Sequence, residues 1–223
     1  MVDIKSAIAQ LHFFNNLTEG ETATLISISS LKTYPADTLL HYEKSESDRV
    51  LFLVNGLAKA YKIDKHDNEI FLYYIYKNHI LSDISSLDKA CLTSYSNITL
   101  VEDSQLLSVD FTAFKREFLE KGRLCLELSN EVIRQSKQLQ DLVNREFIFD
   151  SVAKVAMMLS SDLAMFNKLK RYDVSLMLHI QPSTLSRVLS RLKRNGLIDI
   201  DHGVVIIMNI EGLKRIYEGV ADE

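Results

Sequence analysis

At 223 residues, with 47% hydrophobic and 25% charged residues and a formal net charge of −4, the chain has ordinary globular composition and room for one large domain or two average ones. That balance excludes a disordered chain. The acidic total excludes a protein coated with basic surface, so any nucleic-acid contact is confined to one patch.

No apolar run approaches the roughly 20 residues that span a bilayer. Met1-Val-Asp-Ile-Lys-Ser6 has no basic head followed by an apolar core, so no signal peptide is expected. Cys91 and Cys125 form no CxxC pair, which argues against zinc or an iron–sulfur cluster and for two reduced thiols in a cytoplasmic protein.

Residues 4–30 read as two short helices, the second opened by Thr18-Glu-Gly-Glu21, a capping-box pattern. Residues 31–109 change to strands. Val50–Val54 and Leu57–Ile63 flank Asn55-Gly56, the strongest short hairpin signal. Tyr61–Ile63 and Ile70–Tyr76 flank His66-Asp67-Asn68, and Tyr95–Val101 and Ser104–Val109 make a further pair around Glu102-Asp103. Many short antiparallel strands with regularly spaced turns predict a barrel or jelly roll.

Helix returns over Phe111–Glu120. Gly122 breaks it, and Arg123–Phe147 then runs without Pro or Gly. There Cys125, Leu128, Val132, Gln135, Leu139 and Leu142 alternate by three and four, a heptad-like seam that predicts a dimer interface of Leu128, Val132, Gln135, Leu139 and Leu142. Val152–Phe166 is a further amphipathic helix. Two short helical patterns follow, broken at Gln181-Pro182. In the second, Leu185, Val188, Leu189 and Leu192 form one apolar face, opposite Ser183, Thr184, Arg187, Arg191 and Arg194. From Lys168 to Arg194 there are seven Lys/Arg and one acid, Asp173. In an acidic protein this is a local electrostatic footprint whose natural counter-charge is DNA phosphate. Leu197–Ile200 and Val204–Met208, joined by Asp201-His202-Gly203, predict a small hairpin, and Glu211–Tyr217 a closing helix. Helix-turn-helix followed by a hairpin is a winged helix-turn-helix.

In this order the chain resembles the CRP/FNR family of bacterial transcription regulators over nearly its whole length. Leu40-His-Tyr-Glu43 and Val50–Tyr61 are similar to the family's first barrel strands. Lys77–Leu87 sits where the family has its phosphate-binding cassette. Phe147–Ala156 is similar to the segment joining dimer helix to DNA domain, and Ser183–Ile198 to the recognition helix. The resemblance implies an α+β fold. Residues 1–110 would form an effector-sensing β-roll (jelly-roll, cyclic-nucleotide-binding-like) domain with N-terminal helices, 111–147 a helical dimerisation segment, and 148–223 the winged helix-turn-helix. It implies a homodimer that regulates transcription, is not an enzyme, and has double-stranded DNA and RNA polymerase as partners without a membrane.

Departures from the family pattern bear on the effector. Where cyclic-nucleotide binders of the family carry Gly-Glu, this chain has Ser82-Asp83. Their Arg-Ser/Thr region here reads Leu92-Thr-Ser-Tyr-Ser96, with no Lys or Arg between Lys89 and Lys115. Their adenine-contacting pair is replaced by Leu139-Gln140. A cyclic phosphate needs a cationic fork or close backbone donors, so no cyclic AMP binding is expected. The effector pocket is expected to involve Tyr74, Ile80, Ser82, Asp83, Ser94, Tyr95, Leu139 and Gln140, with Tyr73, Tyr74, Tyr76 and Tyr95 as a candidate aromatic lining. Haem is one candidate cofactor, since some relatives sense nitric oxide or carbon monoxide through it. The histidines are His12, His41, His66, His79, His179 and His202, of which His79 lies closest to the cassette. No other metal site is expected.

A recognition helix enters the major groove with its N-terminal residues on base edges. That end is Gln181, Pro182, Ser183, Thr184 and Arg187, with Arg187 suited to bidentate contact with guanine. Ser183 stands where many relatives carry Glu. Ser186, Lys170 and Arg171 suit phosphates, and Arg191, Lys193 and Arg194 lie further along. His179 holds a turn position usually held by Gly. A dimer would place two such helices about 34 Å apart, on a near-palindrome. An effector in the barrel would then act by repacking the long helix near Leu139-Gln140 and reorienting the DNA domains at Phe147–Asp150. The rival reading is a cupin-like metal-dependent enzyme. That needs converging histidines, and no His-x-His occurs. A regulator with a divergent cyclic-nucleotide pocket is the other alternative.

Overall fold

The computed structural model describes residues 3–218. They form two compact units that divide between Gln138 and Leu139, inside the long helix rather than at either of its ends.

The first unit opens with α1 (Ile4–Gln10), a 3-10 turn (His12–Phe14) and α2 (Glu19–Ser27). Asp3 caps α1 by accepting from Ser6 N, and the Thr18/Glu21 capping box is present in full. Nine strands follow: β1 (Ser29–Tyr34), β2 (Leu39–His41), β3 (Glu46–Ser47), β4 (Arg49–Asn55), β5 (Leu57–Ile63), β6 (Glu69–Tyr76), β7 (Leu92–Thr93), β8 (Asn97–Leu100) and β9 (Ser104–Asp110). One sheet has the order β1-β9-β4 and another β2-β8-β5-β6, with a small β3-β7 pair.

This topology corrects two of the expected hairpins. β4 pairs with β9 and β5 with β6 and β8, so Asn55-Gly56 turns the chain from one sheet to the other. Glu102-Asp103 likewise carries β8 of one sheet into β9 of the other. At Gly56 the corner needs glycine twice over. Its φ is +110°, and a Cβ would fall 2.0 Å from Ser104 Oγ and 2.9 Å from the Ser104 Cα. The β5–β6 hairpin forms as expected, its loop held by Asp64 Oδ1, which accepts from His66 N and Asn68 N.

Strand alternation then divides the core. Val50, Phe52, Val54, Leu107 and Val109 pack with Phe13, Phe14, Leu25 and the phenylalanines of α3 (Phe111–Phe114) and the π-type turn Lys115–Leu119. Leu53 and Leu106 face the other way and meet Ala58, Ile75, Ile98 and Leu100 of the second sheet.

The long helix α4 (Cys125–Phe147) follows. Two residues of the expected seam are engaged within their own unit. Leu128 is buried in the core of its own unit, and Gln135 Nε2 donates to Ser82 O at 3.3 Å. The uncovered apolar residues are Leu126, Val132, Ile133, Leu139, Val143 and Phe147. A heptad pattern cannot tell which of two neighbouring rows meets the helix's own domain.

The second unit contains the last turns of α4, then α5 (Ser151–Lys168), α6 (Arg171–Met177), α7 (Pro182–Arg194), β10 (Ile198–Asp201), β11 (Val204–Ile207) and α8 (Ile210–Glu218). Asp150 caps α5 by accepting from Val152 N and Ala153 N. The helix kinks at Asp162 (φ −151°, ψ 61°), whose Oδ1 accepts from Met165 N and so starts a new turn. Val155, Leu159, Phe166, Val174, Leu185, Leu189, Leu192, Val205 and Leu213 make one core. No helix among the described residues is long and apolar enough to cross a membrane.

Candidate nucleic-acid interface

The interface is built on α7. Pro182 occupies its first turn, where a missing N–H leaves no bond unmade, after Gln181 in extended backbone. Leu185, Val188, Leu189 and Leu192 are buried, which fixes the roll of the helix about its axis. The opposite face is therefore held out: Gln181, Pro182, Ser183, Ser186, Arg187, Ser190, Arg191 and Arg194 are exposed, and Thr184 is half-buried. Arg187 Nε donates along the helix to Ser183 O at 3.3 Å, which lays the guanidinium beside the Ser183 end of the face.

The turn between α6 and α7 depends on His179, which adopts φ +51°, a conformation histidine tolerates better than most side chains. Its Nδ1 lies 2.8 Å from Glu146 Oε2, in the last turn of α4. Burial opposes ionisation of Glu146, but the bonds from His179 and Arg145 hold its carboxyl below the usual range.

Two basic residues read together in sequence part company here. Lys170 is exposed at the N-cap of α6. Arg171 donates from Nη1 to Phe166 O at 3.1 Å and from Nη2 to Gly203 O at 2.6 Å, and its guanidinium lies 4.5 Å from the Phe166 ring centre. Arg171 thus clamps the β10–β11 turn to the end of α5 and is not held out toward a phosphate. Asn167 completes the clamp, donating to Val205 O at 2.9 Å and accepting from Val205 N at 2.8 Å. Asn167 carries no sequence signal, because its partner lies 38 residues away. Lys193 pairs with Asp199 at 2.7 Å.

Few of the expected effector-pocket residues gather together. Ser82 Oγ accepts from Leu51 N, and Asp83 Oδ2 accepts from Tyr95 N at 2.8 Å. The Tyr95 ring itself is exposed. Ile80 belongs to the helix-facing core, Ser94 is tied by backbone bonds to Lys44 and Ser45, and the Tyr74 ring packs at a tilt against Phe71, with centres 4.9 Å apart. Leu139 and Gln140 are exposed and lie in the second unit.

Other residues meet Asp83 instead. Burial, then the Asp83 charge, pushes the Tyr73 phenol up to about 12, and burial raises the Asp83 carboxyl. Ser96 Oγ, beside that phenol, and His41 Nε2 are buried without a well-formed hydrogen bond. Burial lowers the His41 pKa and so favours its neutral form. Cations do approach, from outside the stretch that aligns with the family's Arg-Ser/Thr region. Arg134 of α4 acts on Tyr73 and Lys62 of β5 on Asp83. Both are engaged, Arg134 with Glu131 and Gln138 and Lys62 with Glu43.

His79 Nδ1 lies 3.0 Å from Glu131 Oε1, in a cavity of about 370 Å³ shared with Lys77, Glu127 and Asn130. That charged lining does not suit the apolar faces of a porphyrin.

The chain has an antiparallel β-roll followed by a long helix and a winged helix-turn-helix. Within it, residues 153–216 match the family model for the Crp-like helix-turn-helix domain. The fold is similar to that of a CooA double mutant from Carboxydothermus hydrogenoformans, with 18% identity, a TM-score of 0.72, and 93% of this chain and 95% of that one covered. It is similar also to FixK2 from Bradyrhizobium japonicum, with 15% identity, a TM-score of 0.68, and coverage of 88% and 100%. A Crp/Fnr-family regulator from Eubacterium rectale matches at 14% identity and a TM-score of 0.62, with 94% and 99% covered. No curated protein matches the chain in sequence. Residues 153–216 thus carry a Crp-like helix-turn-helix domain, and the fold of the chain is similar to that of these solved CRP/FNR regulators.

Proposed function

We propose that the chain works as a homodimer that reads a near-palindromic operator with α7 and responds to an effector other than cyclic AMP. The observation that carries this reading is the division of α7 into a buried apolar face and an exposed face bearing Ser183, Arg187, Arg191 and Arg194. Arg187 is the base reader, suited to the O6 and N7 acceptors of guanine. Gln181, Ser183 and Thr184 lie at the same end, while Lys170 and Ser186 suit phosphates. The uncovered row Val132, Leu139, Val143, with Ile133 and Phe147 beside it, supplies the apolar stripe a second copy would cover. RNA polymerase and a cytoplasmic setting go with this role.

The effector reading rests on the grouping of Asp83, Tyr73 and Ser96. Its members are acidic or neutral, and the nearby cations already have partners. A lining of that kind suits an uncharged or cationic molecule with hydrogen-bond donors and disfavours a phosphate. Selection of bound duplexes from a random pool tests the central claim. The expected result is a symmetric motif with half-sites one helical turn apart. Recovery of no symmetric sequence, with the purified chain shown to be folded, would overturn it.

A further inference from the structure

A crevice of about 550 Å³ lies within the second unit, away from the groove-facing end of α7. Its walls come from four places: the connector Ile148–Asp150, the first turn of α5, the last turn of α7 and the end of α8. Ile148, Phe149, Val152, Leu192, Ile216 and Tyr217 supply apolar wall, and Asp150, Arg191 and Asn195 are among the residues that line the rest, whose polar share is nearly as large. The volume is that of a small-molecule site, where an apolar lining with a few polar groups is the rule.

Two features say the crevice is made for an occupant. Ile148 is 68% exposed although it forms part of the wall, so an occupant would take its side chain out of water. Arg191, on the polar side, makes no ion pair or side-chain hydrogen bond among the described residues. Other groups near the crevice are already engaged. Asp150 caps α5, and Phe149 packs on Tyr217 with ring centres 6.0 Å apart. A hollow with apolar walls on one side and Arg191, without a side-chain partner among the described residues, and Asn195 on the other is complementary to a molecule with an apolar body and an anionic, planar head.

We propose that this crevice binds a small monocarboxylic acid of medium chain length, its tail against Ile148, Ile216 and Tyr217 and its carboxylate on Arg191. The site differs from the Asp83 cluster in the other unit. Because Arg191 lies on the exposed face of α7, the same guanidinium cannot serve a ligand carboxylate and a DNA phosphate at once. Occupancy therefore weakens DNA binding, a consequence that rests on the operator-reading role proposed above. The acid site itself does not rest on it.

Calorimetry on the full chain without DNA tests the site, with decanoate, decanol and decylamine as probes that share one tail. The expected result is decanoate binding at one per chain, weakened roughly tenfold by Arg191→Gln, while decanol binding is weaker and insensitive to that change. Ile216→Trp, which fills the crevice, should abolish decanoate binding while circular dichroism and the melting profile stay close to those of the parent. Equal binding of all three probes, decanoate binding untouched by both variants, or no decanoate binding below its micelle concentration would each overturn the proposal. Failure of operator selection with decanoate binding intact would count against the DNA reading alone.

Discussion

Replacing Arg171 with alanine tests whether this arginine serves the fold or the nucleic acid. The change removes two bonds from a charged donor, to Phe166 O at 3.1 Å and to Gly203 O at 2.6 Å, and a guanidinium stacked 4.5 Å from the Phe166 ring centre. The site is partly open to water, so each bond is taken at the low end, about 1 kcal/mol, and the stacking at about 0.5–1 kcal/mol. The total is about 2.5–3 kcal/mol. Two compact units need not unfold together, so hydrogen exchange is the better readout. Amides of α5 and of the β10–β11 hairpin that open with their own unit should exchange roughly 70- to 150-fold faster, while those of the first unit stay unchanged. DNA titrations across salt concentration complete the test. Arg171→Ala should leave the slope of log affinity against log salt unchanged, whereas Lys170→Ala should reduce it by about 0.9 for each phosphate that is no longer neutralised. Unaltered exchange in Arg171→Ala together with a flattened salt slope would refute the assignment.

Arg187→Ala should weaken the selected operator by about 1–3 kcal/mol and relax preference at one base pair in each half-site; a weakening spread evenly over all sequences would make Arg187 a phosphate contact. Along α4, Leu128→Ala should destabilise the first unit by about 2–5 kcal/mol, as a deletion in a packed core, and leave the oligomeric state unchanged in sedimentation. Val143→Glu should do the reverse, giving monomers with near-normal stability. Asp83→Asn should raise the melting temperature of the first unit near neutral pH. The folded-state pKa of Asp83 is raised by burial, so its stabilising contribution is full below its unfolded pKa, near 3.8, and is lost as pH rises through the folded value. The advantage of the amide should therefore fade on acidification, and an advantage independent of pH would refute the cause given. Any effector bound through Asp83 should be lost in the same variant, as expected where a site is kept at a cost in stability.

What was legible in the sequence, and what was not, follows from the range of the interactions. The winged helix-turn-helix could be read because its signals are local: Pro182 at a helix start, an apolar row at Leu185, Val188, Leu189 and Leu192, and a turn at Asp201–Gly203. The strand pairing could not, because Asn55-Gly56 has the chemistry of a two-residue hairpin and only the partner of β4, some fifty residues on in β9, makes it a corner. Lys170 and Arg171 are adjacent and alike in charge, yet the aromatic ring and two carbonyls that divide their roles come from Phe166 and Gly203. The same limit governs the effector. The stretch between Lys89 and Lys115 carries no Lys or Arg, while Arg134 and Lys62 reach Tyr73 and Asp83 from a helix and a neighbouring strand. Ligand chemistry in such a roll is therefore set by which charges remain unengaged once Glu131, Gln138 and Glu43 have taken their partners. A substitution at Glu43 or Glu131 should alter effector preference without touching the effector, by releasing a cation toward Asp83 or Tyr73. Glu43→Gln is the cleaner of the two, because Glu131 also holds His79. If the variant gains no affinity for anionic ligands over the parent chain, the Lys62 charge is not what excludes or admits a phosphate.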